Sequence, residues 1–509
     1  MTARYTKNDQ IFTQLAVVEY LLDEVGFVST DDLSSLKLLE PASGDGGFAI
    51  EVIRRLHLSS KKFNFDFLQA LNKNIRFIEI DTKSYKLLEE NIKQVIRGLG
   101  YDDTLIEGHV FVNDNFLYLH MATKFDCIVG NPPYIRYDVI EKEAKDFYKN
   151  RFITFRYRAD LYVLFYEHSL GLLSERGKLS FICSNRWLYN QYGQPLREKI
   201  SKEYHLDKLL NIENSNPFNK SVIAYPSVVT LSNRRSETTL YYETDARNID
   251  ISTIVFKSKK TPESSHWENL FLDYDLTDGS LKSIEEQGYT IGIGIATGAD
   301  KIFIIKKSDD IQIEKSRLLP LLTSKSLQDS KLEWDGSFLV NPFEDEKLCD
   351  LDDYPHLKNY LREHKDRLSQ RYIAKKSPHQ WYKTIDRVKR GLLETPKLLL
   401  PDLSSNKFLS IDKGEYYPHH NLYYITHPNS NKLKILAAIL MSTFTKSQLS
   451  KIGIKMNGGL PRFQSQTLKK LRIPRIDSFT DRDRLALIDG YDRQNLVQID
   501  SVVVRKELK

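Results

Sequence analysis

The sequence has little cysteine: three residues, Cys127, Cys183 and Cys349, among 509. They are scattered, so they form neither a disulfide framework nor a metal-ligand spacing, and no metal is expected. Long hydrophobic runs are also missing. No apolar stretch approaches the roughly 18 residues that a membrane-spanning helix requires, and the opening segment MTARYTKNDQIF lacks the apolar core of a secretion signal. A reducing cytoplasm with no membrane partner is the expected setting. Internal repeats and low-complexity tracts are lacking too, which excludes solenoids and disordered scaffolds. Neither charge sign dominates: 74 Lys and Arg against 68 Asp and Glu leave a net charge of +6.

A chain of this length, 41% hydrophobic and 28% charged, has material for two or three globular domains. Its basic residues are concentrated. His356 to Lys397 holds 12 Lys and Arg against 4 Asp and Glu, and Lys446 to Arg472 holds 7 against none. A solvated helix face accounts for the first stretch as well as a polyanion does. The second, interleaved with Gly458, Gly459 and Phe463, reads as a phosphate-contacting surface, with Lys451, Lys455 and Arg462 as candidate contacts.

From residue 1 to about 235, strand-like and helix-like runs alternate. LKLLEP, IRFIEID, HVFVND, FDCIVG and KLSFICS are strand candidates, separated by segments with helical spacing. The alternation predicts an α/β domain with a mainly parallel sheet and helices on both faces. Residues 236–285 are polar and read as a connection. Residues 286–475 have short strands with Pro and Gly punctuation, expected to form a mixed α+β domain. The tail, 476–509, has helical periodicity interrupted by Gly490.

The strand ends of the first region carry the chemistry. In LLEPASGDGGFAIEVI, Gly44, Gly46 and Gly47 stand between a strand and a helix, where glycine permits a tight turn and close approach of a ligand to the backbone. The next strand ends in EID. Glu79, with Asp81 in reserve, is placed to accept hydrogen bonds from ribose hydroxyls, although the separation from the glycine turn exceeds the usual ~20 residues. The third ends in NDNFL, where Asp114 or Asn115 is suited to read an adenine amino group and Phe116 to flank the ring. The fourth, FDCIVG, runs into Asn131-Pro132-Pro133-Tyr134. In an open α/β sheet these ends share one crevice, so a turn alone is an incomplete account of the two prolines.

Taken together these segments resemble the amino-methylating DNA methyltransferases that act on adenine N6, in the gamma order: cofactor half, catalytic half, target-recognition region. QIFTQLAVVEYLL resembles the family's N-terminal cofactor-contacting motif, with Thr13 at the polar position. LEPASGDGGF resembles the glycine motif, with Glu40 and Ser43 at contact positions. FIEID resembles the acidic motif through Glu79. NPPY is identical to the catalytic motif. NPFNKSVIAYPSVVTL resembles the later motif that supplies a second aromatic, here Phe218. One departure is that the family commonly has Asp directly before Phe after strand three, where this chain reads Asp114-Asn115-Phe116. GIGIATGADKIF and RYIAKKSPHQWY resemble parts of the family's recognition domains.

The resemblance implies a Rossmann-like methyltransferase domain that binds S-adenosyl-L-methionine, with Pro133 also on the cofactor side. It implies double-stranded DNA as partner, a nucleoid-associated protein of a prokaryotic cell, and a cognate restriction endonuclease as a genetic partner that need not bind the chain. Asn131 and the Pro132 carbonyl would accept hydrogen bonds from the amino group of a base rotated out of the duplex, with Tyr134 and Phe218 against its ring. Alternatives are a methyltransferase for another planar amino group (cytosine N4, an RNA base or a glutamine amide) and a fused restriction–modification nuclease. Against the last, the N-terminal motif begins near residue 1 and leaves no domain for a nuclease site.

Overall fold

The computed structural model describes residues 13–213, 217, 225–244, 253–272, 279–309, 311–328, 331–401, 409–452 and 465–507. The chain divides into two compact units, Met1–Phe271 and Leu272–Lys509. No helix among the described residues is long and apolar enough to cross a membrane.

In the first unit the alternation seen in the sequence becomes a sheet. β1 (Leu38–Glu40), β2 (Ile75–Ile78), β3 (Phe111–Val112), β4 (Phe125–Gly130) and β5 (Leu173–Ser184) are parallel, in the order β3-β2-β1-β4-β5. β7 (Pro226–Ser232) lies antiparallel between β5 and β6 (His205–Asn211). β1 and β4 are short and almost wholly buried, as parallel strands covered on both faces must be. Successive β4 residues serve opposite cores. Phe125 and Ile128 join α5 (Lys142–Arg151), α6 (Tyr162–Gly171), α7 (Arg186–Tyr189) and α8 (Gln194–Glu203) on one face. Cys127 and Val129 join α1 (Leu15–Glu24), α2 (Gly47–Phe63), α3 (Phe67–Asn74) and α4 (Thr82–Gly98) on the other. Cys127 and Cys183 are buried, and burial pushes both thiols well up, Cys183 to about 12. They are packing residues.

Within the 236–285 stretch, expected as a connection, two strands extend this sheet. β8 (Thr238–Glu243) pairs in parallel with β6, and β9 (Lys257–Lys260) pairs antiparallel with β8. Polar composition concealed them because they lie at the sheet's edge, where one face meets water. The division between units accordingly falls at 271/272.

The second unit contains two four-stranded sheets among its described residues. One is antiparallel: Thr290–Ile293, Leu422–Thr426, Lys397–Pro401 and Ser410–Asp412. The other joins Ile304–Lys306, Ser337–Val340, Leu318–Leu322 and Tyr417–Pro418. The tail is helical, but Gly490 does not interrupt it. The helix Asp481–Asp492 runs through Gly490, and the chain breaks at Gln494, which has a left-handed φ of 56°. A Cβ on Gly490 would stand 2.9 Å from Ile499 Cγ1 in the following helix. The glycine therefore serves close helix packing.

Candidate functional site

The sheet reverses its order of growth at β1, which pairs with β2 on one side and β4 on the other. A crevice opens beyond the carboxyl ends of such strands. Here it is a cavity of about 930 Å³, lined among others by Glu40, Gly44, Glu79, Asn115, Asn131 and Tyr134. Gly130, the last residue of β4 before Asn131, has φ 153°, a backbone conformation that side-chain-bearing residues rarely adopt.

The glycine turn is built by backbone. Ser43 N–H donates to the Ile78 carbonyl at 2.9 Å, and the Ser43 hydroxyl donates to the Glu40 carbonyl at 3.3 Å. Gly44 has φ 57°, and an added Cβ there would meet nothing within 4 Å. Gly46 has φ 105°, and its Cβ would press on Leu88 Cδ1 of α4 at 3.0 Å. Gly44 thus bares backbone to the cavity, whereas Gly46 admits a helix.

Glu79 ties this turn to the second strand end. Its Oε2 accepts the Gly44 N–H at 2.7 Å and its Oε1 accepts the Asp81 N–H at 2.8 Å. Burial raises its pKa, partly offset by these two hydrogen bonds. Asp81 has different work. Its Oδ1 caps α4 by accepting the Ser84 N–H at 2.9 Å, the usual role of Asp at a helix start.

Glu40 is only 1% exposed, and its Oε2 has no hydrogen-bond partner. Burial pushes its carboxyl well above the ordinary value; Glu79 and Asp45 push the same way, against a lowering Ser43 hydrogen bond. At the third strand end Asn115 is buried, and its Oδ1 accepts the Leu117 N–H at 3.0 Å, capping the short helix Phe116–Tyr118. Asp114 is exposed, with Oδ1 accepting the Asn115 N–H at 2.6 Å. Both line the cavity. Phe116 is buried against Phe165 of α6, with ring centroids 5.4 Å apart.

Asn131 follows β4 directly, and its Nδ2 donates to Thr13 Oγ1 at 3.2 Å. The adjacent Gln14 N–H donates to the Pro217 carbonyl at 2.9 Å, which adds a second tether to the N-terminal segment. Pro132 is buried. The Tyr134 hydroxyl donates to the Ile182 carbonyl at 3.4 Å, and its ring meets Tyr162 edge-on at 6.3 Å. Behind them, Tyr162 and Tyr192 share a 2.9 Å hydrogen bond, and Asp160 accepts both the Tyr192 hydroxyl and the Tyr137 N–H at 3.2 Å.

The structure therefore brings Thr13, Glu40, Ser43, Gly44, Glu79, Asp81, Asp114, Asn115, Phe116 and Asn131–Tyr134 around one cavity. Gly46 stands behind them, in the turn. Phe218, Lys455 and Arg462 lie outside the described residues, and Lys451 is half-buried on the helix Thr443–Ile452 in the second unit. Sequence reading missed Leu87 and Asn91, which α4 turns towards the cavity. Asn91 Nδ2 braces the glycine turn through the Asp45 carbonyl at 2.9 Å. Their spacing with Ser84, at i, i+3 and i+7, was the available signal.

The model of the Eco57I restriction-modification methylase family matches residues 36–218. The whole chain is similar to type II methyltransferase M.BstVI of Geobacillus stearothermophilus, 33% identical, with 98% of this chain and 96% of that protein covered. It is likewise similar to type II methyltransferase M.PaeR7I of Pseudomonas aeruginosa, 34% identical over 97% of this chain and 91% of that one. Among solved structures, the type IIL restriction-modification enzyme MmeI, in complex with DNA, superposes with a TM-score of 0.61 at 13% identity. That match covers 97% of this chain and 74% of MmeI.

Proposed function

The chain belongs to the type II restriction–modification DNA methyltransferases, and from that premise we propose that it methylates N6 of adenine in double-stranded DNA, using S-adenosylmethionine. The observation that carries the reading is the meeting of Asn131-Pro132-Pro133-Tyr134 with the glycine turn and Glu79 around one cavity.

The residues present fit the cofactor. The cavity is within the ordinary size range of small-molecule sites. Gly44 exposes backbone with open space where a side chain would stand, Glu79 offers buried carboxylate oxygens beside it, and Ile80, Leu87, Phe116 and Pro133 supply apolar wall for a ring. Thr13, Glu40 and Ser43 complete the cofactor side, and Asp114 and Asn115 face it from the third strand. Bound there, S-adenosylmethionine supplies a methyl group on a sulfonium, already a good leaving group.

The protein's part is to make a poor nucleophile better and to position it. An adenine amino nitrogen delocalises its lone pair into the ring. Two acceptors on its hydrogens favour a more tetrahedral nitrogen. With Nδ2 held by Thr13, Asn131 Oδ1 is assigned as one acceptor and the Pro132 carbonyl as the other. The prolines lock the backbone direction and introduce no competing N–H. Held by these two acceptors, the amino nitrogen would turn its lone pair towards the cofactor side of the cavity, and its proton would leave to solvent. Preorganised polarity and positioning supply the rate.

A base inside a duplex cannot reach a crevice, so it is rotated out, at a cost of a few kcal/mol. Tyr134 is the stacking face, and Phe218 is assigned to the same ring. Methylation would protect the DNA from a cognate endonuclease, a genetic partner. The test is incubation of the chain with labelled S-adenosylmethionine and duplex DNA, followed by nucleoside analysis. N6-methyladenine is expected. N4-methylcytosine, or label on no nucleoside, would falsify the adenine assignment.

A further inference from the structure

Away from the cavity, the second unit brings three Lewis-basic side chains to one point. Asp300 follows the turn Thr297-Gly298-Ala299, and His419 and His420 follow the short strand Tyr417–Pro418. His419 Nε2 lies 3.2 Å from Asp300 Oδ2 and 2.9 Å from His420 Nδ1. One donor atom from each residue falls within a 4.8 Å span. No local spacing announces this set, because Asp300 and His419 are 119 residues apart.

The backbone holds the two segments together. Ile295 N–H donates to the Pro418 carbonyl at 2.9 Å, and His420 N–H donates to the Ile295 carbonyl at 3.0 Å. His419 N–H reaches the Leu322 carbonyl at 2.9 Å. Gly294 of GIGIATGADKIF makes the approach possible. A Cβ on Gly294 would stand 2.2 Å from the His419 carbonyl oxygen. Gly298 has φ 73°, and its Cβ would press on Ile385 at 2.8 Å.

The carboxylate is also aimed. Asp300 Oδ1 accepts the hydroxyl of Thr297, a fully buried residue, while Oδ2 faces the histidine. Such outer support is how ligating carboxylates are held. Hydrogen bonding alone accounts poorly for the convergence. A neutral imidazole has a single N–H, so His419 Nε2 can serve only one of its two neighbours well. Divalent-ion bonds of about 2.0–2.1 Å separate neighbouring ligand atoms by about 2.8–3.4 Å in octahedral or tetrahedral geometry. The two distances here are of that size.

We propose that Asp300, His419 and His420 bind one divalent transition-metal ion of the Zn²⁺ type, which fastens the 294–300 segment to the 417–422 segment within the second unit. Two imidazoles and a carboxylate select a borderline cation over Ca²⁺ or Mg²⁺. His420 is exposed and gives the ion a way in. Three protein ligands leave at least one position for water or an anion.

The test uses the full chain, stripped with a chelator and titrated with Zn²⁺ by calorimetry, with Co²⁺ as a visible-absorption probe. Wild type takes up one equivalent and melts at a higher temperature when loaded. His420→Ala and Asp300→Asn each weaken binding by roughly tenfold or more and lose the Zn²⁺-dependent rise in melting temperature. Because His420 is exposed, His420→Ala leaves the metal-free melting temperature unchanged, so it reports uptake and not folding. No stoichiometric uptake by wild type, or uptake that both variants retain, overturns the proposal.

Discussion

The first unit gathers its polar groups at the ends of successive parallel strands, whereas the second gathers Asp300, His419 and His420 across a gap of more than a hundred residues. In the first, topology does the assembling. Each βα connection brings the next strand end to the same edge, so short motifs read in order along the chain are neighbours in space. In the second, two distant segments meet where Gly294 lets their backbones touch. Motif reading can gather residues of the first kind into one group and is blind to the second kind.

The largest test of the contrast is Asn131→Ala. If the strand-end group is chemical and not only structural, turnover falls by about 10²–10³-fold, the scale of losing one preorganised polar contact. Cofactor affinity, followed by calorimetry, stays as it was. Activity that survived would make the edge a binding surface only. Glu79→Gln comes next. Losing the charged acceptor weakens cofactor binding by about 1.5–3 kcal/mol, with a smaller effect on the rate at saturating cofactor.

The buried acids of the first unit make its stability depend on pH. Glu40 has a folded-state pKa raised by burial, so the unfolded chain releases this proton first. Stability of the cofactor-free protein therefore falls as pH rises from the ordinary carboxylate value to the raised one, then levels off. Glu40→Gln flattens part of that slope in melting temperature against pH, and Glu79, also raised, keeps the rest. An unchanged slope would mean that the Glu40 carboxyl is solvated. The smallest effect is expected in the second unit. Lys451→Ala weakens DNA binding equally for all sequences and lowers the salt slope by about one. Selective loss on one sequence would make Lys451 a base reader instead.

These particulars also mark how much was legible in the sequence. The glycine turn, Glu79 and the NPPY end were readable because strand-end position and residue chemistry coincide. The choice between Glu79 and Asp81 was not, since both are acids at one strand end. The structure separates them by what each holds: two backbone N–H groups beside the cavity for Glu79, the start of α4 for Asp81. β8 and β9 were hidden by their polar composition. Gly490 read as a break because its role lies in a neighbouring helix, and periodicity carries no information about neighbours.

The Glu79 bridge has a consequence for observation. Its two hydrogen bonds protect the Gly44 and Asp81 amides, which lie on different connections of the sheet. Their hydrogen exchange should slow and quicken together, as one opening unit. A ligand that draws on the same carboxylate would change both rates at once. The exchange of two backbone protons would then serve as a gauge of occupancy that needs no label on the ligand and no turnover.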